Sequence, residues 1–133
     1  MANTPYPKWK EALMQGGAGS SLAGPLKAVL VDTGAYTYSA AHEFYSSITG
    51  AAGTPQAIGS KTYTGGLLDG ADITFPAVPA GPNVEALVLF LDTGTPSTSR
   101  LVAYYDTGIT GLPVTPNGGD LPVIWNAAGI FQL

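Results

Sequence analysis

The chain has 133 residues, of which 11% are charged, with nine acidic against five basic side chains and a net charge of −4. This balance argues against a nucleic-acid partner, because phosphate binding needs a basic patch, and the absence of cysteine excludes disulfides and thiolate metal sites. The longest strictly apolar stretch, residues 86–91, is far short of a membrane span, and MANTPYPKWKEALMQ has no apolar core of a secretory signal, so a soluble protein made in a cytoplasm is expected.

In chain order, Pro7 opens a predicted helix over 7–14, with Trp9 and Leu13 four apart on one face and Gly16-Gly17 ending it. GGAGSSLAGP reads as a flexible Gly/Ser-rich connector. The chain is thus divided into an N-terminal helix or arm with its linker, 1–25, and a β domain, 26–133. Tyr6, Trp9 and Leu13 are the candidate interface residues, since aromatic anchors before a flexible linker are hard to place in a core. KAVLVD predicts the first strong strand over 26–32, SAAHEFYSSI a short helix over 39–48, and TGAAGTPQAIG a loop.

Further strands are expected over 60–64, 71–75, 84–92, 99–106, 120–125 and 129–132. Asn117-Gly118 is a hairpin signal that makes 101–105 and 121–125 expected antiparallel neighbours. Eighteen glycines and eleven prolines spread along the length separate these segments. The fold class expected is all-β: a two-layer β-sandwich of jelly-roll-like kind with one or two short peripheral helices. KAVLVD and ALVLFL are nearly continuous apolar runs, so both faces of these strands need a cover, from loops, the N-terminal helix or another chain.

Asp-Thr-Gly occurs three times behind apolar residues, at Asp32, Asp92 and Asp106. It resembles the element that carries the catalytic carboxylate of aspartic proteases, which need two aspartates about 3 Å apart sharing a proton. A chain of this length reaches that pair only as a homodimer using Asp32-Thr33-Gly34, with Ala57-Ile58-Gly59 as a weak second element. Recurrence at strand ends favours a turn device instead, with Asp accepting from the backbone and Gly supplying positive φ. His42 is the single histidine and lacks a cysteine or Gly-x-Ser-x-Gly partner. Asp69 and Asp72 sit in a turn without the oxygen ligands that calcium requires. No catalytic residue, cofactor or metal is therefore assigned.

LKAVLVDTGAYTYS..HEFYSSI, VEALVLFLDTGTPSTSRLVAYYDTG and above all the C-terminal TGLPVTPNGGD...W....IF.L resemble a family of head decoration, or cement, proteins of tailed bacteriophages. The resemblance covers nearly the whole chain. It implies a non-enzymatic structural virion protein on the capsid surface, made in the host cytoplasm, a homo-oligomer (dimer or trimer) whose partner is the major capsid protein. A tail-associated virion protein is the alternative.

Overall fold

The computed structural model describes residues 4–17, 21–107, 109–125 and 129–132. In chain order these give β1 (Thr4–Pro5), α1 (Pro7–Met14), β2 (Leu26–Val31), β3 (Ala51–Ala57), β4 (Leu67–Leu68), β5 (Ile73–Phe75), β6 (Ala86–Leu91), β7 (Arg100–Tyr105), β8 (Leu121–Val123) and β9 (Phe131–Gln132). The protein is all-β, as the turn-rich sequence implies. An antiparallel sheet runs β1-β7-β6-β2-β3, and two ribbons, β4-β9 and β5-β8, accompany it.

The sheet is built on its three apolar strands. β6 is buried at every position, β7 at all but Arg100, and β2 at all but Lys27. Leu26 pairs with Leu91 and Val31 with Ala86 across one side of β6, while Leu87 pairs with Tyr105 and Val88 with Tyr104 across the other. Side chains alternate between faces along a strand, so a strand without a wet face needs two covers. Tyr104 and Tyr105 show both. The Tyr104 ring meets Tyr36 and Tyr38 at 6.3 and 5.6 Å. On the opposite face the Tyr105 ring meets Trp125 at 6.3 Å, and its hydroxyl donates to Ile130 O at 3.1 Å. The N-terminal segment and the 32–48 connection cover the first face, with Phe90 stacked on Tyr45 at 4.2 Å. The C-terminal region covers the second. Both faces of the central strands are thus closed within one chain.

α1 spans the expected residues and packs on β7. Gly16, at φ 66°, supplies the left-handed residue that ends it, and Gly17 N donates to Ala12 O at 2.7 Å. The segment read as an arm belongs to the sheet: Thr4 pairs with Tyr104, Pro5 with Ala103, and Tyr6 N donates to Val102 O at 2.8 Å. Tyr6 and Trp9 are 0% and 1% exposed. Their reading as interface anchors is corrected, since this chain's own sheet supplies their partners; Leu13 remains half-buried.

Other expectations change for reasons of pairing. Residues 39–48 are not a helix but a turn at Ser39 followed by extended backbone at Phe44 and a single 3-10 turn at Tyr45–Ser47. Leu101 N donates to Glu43 O at 3.0 Å and Tyr45 N to Ser99 O at 2.8 Å, so this segment serves as an added edge on β7, and tertiary pairing overrides local propensity. Residues 51–57, read as loop, form the other edge strand, β3, paired to β2. Residues 101–105 and 121–125 are not neighbours: β7 pairs with β1 and β6, and β8 pairs with β5. The Asn117-Gly118 turn docks on residues 77–78, with Gly118 N donating to Val78 O at 2.8 Å. Residues 60–64 hold one bridge, Thr62 to Asp69, in place of a strand.

Leu89 lies at the centre of this core with no exposed area. Leu89→Ala is expected to cost about 2–5 kcal/mol in equilibrium unfolding. Gly50→Ala should also destabilise, because Gly50 sits at φ 68° and an added Cβ would stand 2.7 Å from Ala35 Cβ. Unchanged denaturation midpoints in either variant would contradict the packing described.

Candidate functional site

A surface groove of about 610 Å³ lies where the end of α1, residues 21–25, Tyr63 and the turn after β6 converge. Leu13, Leu22, Pro25 and Leu91 make it apolar, and Asp92 and Thr93 close one side. Leu13 is the one predicted interface residue that the fold places here. Met14, its chain neighbour, is 81% exposed, and Tyr63 in the groove wall is 43% exposed.

Residues 21–25, read as linker, are held in place by side chains from the 61–63 segment. Lys61 Nζ donates to Leu22 O at 2.9 Å and to Gly24 O, and the Tyr63 hydroxyl donates to Leu22 O at 3.1 Å. Desolvation pulls the Lys61 pKa below its ordinary value. Residues 18–20 of the predicted connector lie outside the described residues. Lys61 carried no sequence signal, and Tyr63, legible only as one of several aromatics suited to a surface or a core, none for this contact, because both act through backbone carbonyls about forty positions away.

In the wall, both carboxylate oxygens of Asp92 are tied down. Its Oδ1 accepts from Gly94 N at 2.8 Å, and its Oδ2 lies 2.8 Å from Lys27 Nζ. Lys27 beside it, then the Gly94 N–H, hold the Asp92 carboxyl below the usual carboxylate range. Ser99, buried, ties the turn together: Thr93 N donates to its Oγ at 2.9 Å, and that Oγ donates to Thr95 O at 2.9 Å.

Asp32 makes the same turn, with Gly34 N donating to its Oδ1 at 2.8 Å. Both copies use the carboxylate to accept from the backbone two residues on, the device inferred from recurrence. The third turn includes residue 108, outside the described residues. Since Leu26 pairs with Leu91 and Val31 with Ala86, Asp32 and Asp92 stand at opposite ends of the ladder, roughly 20 Å apart at the rise of a strand. Asp106 follows β7 at the Asp32 end, with β6 between them. No two of these aspartates approach the separation of a protease pair within one chain. Asp69 Oδ1 accepts from Gly70 N at 2.8 Å and Asp72 Oδ1 from Trp125 N at 3.0 Å, so both acids of the LLDGADI turn are spent on backbone. Among the described residues no group of three His, Asp or Glu side chains is placed to hold a metal ion.

His42 belongs to an aromatic cluster: its Nδ1 is 2.8 Å from the Tyr36 hydroxyl, which is 2.7 Å from the Tyr6 hydroxyl. Burial raises the pKa of both phenols. On fold and site together the molecule is a small all-β, sandwich-like protein with an apolar groove at one end of its sheet. Compared with models of known families and with curated proteins, the chain matches none.

The Lys27–Asp92 pair gives a pH prediction. Asp92 binds its proton less readily folded than unfolded, so its contribution is complete above the unfolded carboxyl value of about 4 and is lost as pH falls through the lower folded value. Asp92→Asn should lower stability near pH 6 by about 0.2–1 kcal/mol, the range of ion pairs at the surface. It should also flatten the loss of thermal stability between pH 5 and pH 2, in steps read by circular dichroism. Superimposable wild-type and variant profiles would rule the pair out as a contributor.

Proposed function

We propose that the chain is a structural virion protein of a tailed phage that decorates and stabilises the outer capsid surface by binding the major capsid protein lattice. The observation that carries the reading is the near full-length resemblance to head decoration proteins, most specific in residues 110–133. The geometry supports it through the leucine-lined groove, of a size that admits a partner's side chains, flanked by exposed Met14 and Tyr63. A surface with few charges also loses little on desolvation when it joins a lattice.

With the sheet faces covered from within the chain, the groove region is the surface we assign to contact with capsid or a second copy. Binding to the assembled lattice alone stabilises that lattice by mass action, by about 2.7 kcal/mol for each site at a free concentration a hundredfold above Kd.

The test adds purified protein to phage heads lacking it and follows heat-induced DNA release. The full chain should bind and raise the release temperature. Met14→Glu combined with Tyr63→Ser, at exposed positions and with a native circular dichroism spectrum, should weaken binding roughly tenfold or more. Failure of the full chain to bind heads, or its location in tails of intact particles, would overturn the capsid assignment; undiminished binding by the double variant would overturn the groove as its contact.

A further inference from the structure

Two segments distant in sequence share the outer edge of β7. Glu43–Tyr45 hydrogen-bonds to its beginning, and Thr4–Tyr6 to the stretch that follows. The segments are joined by side chains: Tyr6 Oη to Tyr36 Oη at 2.7 Å, then Tyr36 Oη to His42 Nδ1 at 2.8 Å. Tyr6 has no exposed area, and Tyr36 is the partner its hydroxyl meets among the described residues.

In one arrangement alone does every hydroxyl proton of this chain find an acceptor, that of a neutral imidazole whose Nδ1 is bare. When the imidazole is neutral with its proton on Nε2, Tyr6 O–H donates to Tyr36, and Tyr36 O–H donates to Nδ1. Every hydroxyl proton then has an acceptor. When the imidazole is doubly protonated, Nδ1 is a donor and cannot accept. Tyr36 must receive from it and turn its own O–H toward Tyr6, and the Tyr6 O–H is left in the core without an acceptor, which is costly for a buried donor.

We propose that His42, Tyr36 and Tyr6 form an acid-sensitive latch: protonation of His42 reverses the hydrogen-bond chain and loosens residues 4–14 from the edge of β7. Burial holds both phenols protonated well above neutrality, so the chain responds to acid by reversing and not by ionising. The groups around it are Tyr38, 5.0 Å from the Tyr6 ring and 5.6 Å from the Tyr104 ring of β7, and Glu43, already paired with Arg100 at 3.0 Å. Glu85 and Asp106 act on Tyr104 by their charge. The latch is closed where the imidazole is neutral with Nδ1 free to accept and open where it is doubly protonated.

The test is native-state hydrogen exchange on the full chain at pH 8 and pH 5, corrected for intrinsic rates, comparing the Tyr6 amide with that of Leu89 in β6. In the wild type the Tyr6 amide should lose protection roughly tenfold relative to Leu89 at the lower pH, the factor that about one lost hydrogen bond produces. His42→Gln, whose amide oxygen accepts at every pH, should abolish that difference. Tyr36→Phe, which keeps the ring but removes the relay, should abolish it independently. An equal acid response in the wild type and either folded variant, or equal loss at Tyr6 and Leu89, would overturn the latch.

Discussion

The structure depends on one constraint, that β6 has no face for water. Six consecutive buried residues in mid-sheet require apolar material above and below, and β2 and β7 on its flanks extend the requirement. A short chain meets it by dividing its remaining length between the two sides. Tyr6, Tyr36, Tyr38 and Tyr45 go to one, Trp125 and Ile130 to the other, so that a single buried cluster joins elements from both ends of the sequence. The aromatic rings suit this task because each buries a large area while its hydroxyl or indole N–H still reaches a partner, as Trp125 Nε1 does at Ala71 O, 3.0 Å away.

The same constraint separates what the sequence made legible from what it did not. KAVLV, ALVLFL and LVAYY announce central strands because unbroken apolar runs need burial wherever they lie. β3 gave no such signal. An edge strand of alanine, glycine, threonine and proline, largely exposed, has the composition of a loop and is a strand only because β2 offers it a ladder. Pro55 and the register shift beside it also spoil this edge for further pairing, a common protection against strand addition. Residues 39–48 failed in the opposite sense: helix-like spacing was local, whereas the decisive hydrogen bonds run to Ser99 and Leu101. Burial of Tyr6 and Trp9 was equally hidden, because the sheet that covers them is formed from residues 80 to 100 positions later in the chain.

At the groove, Leu13 was readable from helical spacing, and the Asp-Thr-Gly turns from their repetition. The supports were not. Lys61 is by sequence a lone basic residue in an expected strand over 60–64, yet its two bonds to the carbonyls of Leu22 and Gly24 hold residues 21–25 as a wall of the groove. Nothing in residue type encodes such a contact, since any exposed carbonyl is an acceptor for any lysine that reaches it. The linkage of Tyr6 through Tyr36 to His42 is likewise a product of the fold, bringing together residues from two covering segments that each look ordinary alone.

The pairing of Thr4 with Tyr104 carries a consequence for how the molecule is made. The first strand of the chain has its partner a hundred residues away, so the N-terminal segment leaves the ribosome long before the surface that buries Trp9 exists. β2 can form its hairpin with β3 early, but the central β6–β7 pair, and with it the platform for α1, must await synthesis through Tyr105. Such non-local closure places the protein among slowly folding topologies. During that interval the exposed apolar strand β2 and the helix with its bare tryptophan depend on the low concentration of nascent chains, or on chaperones, to avoid associating with the wrong partner.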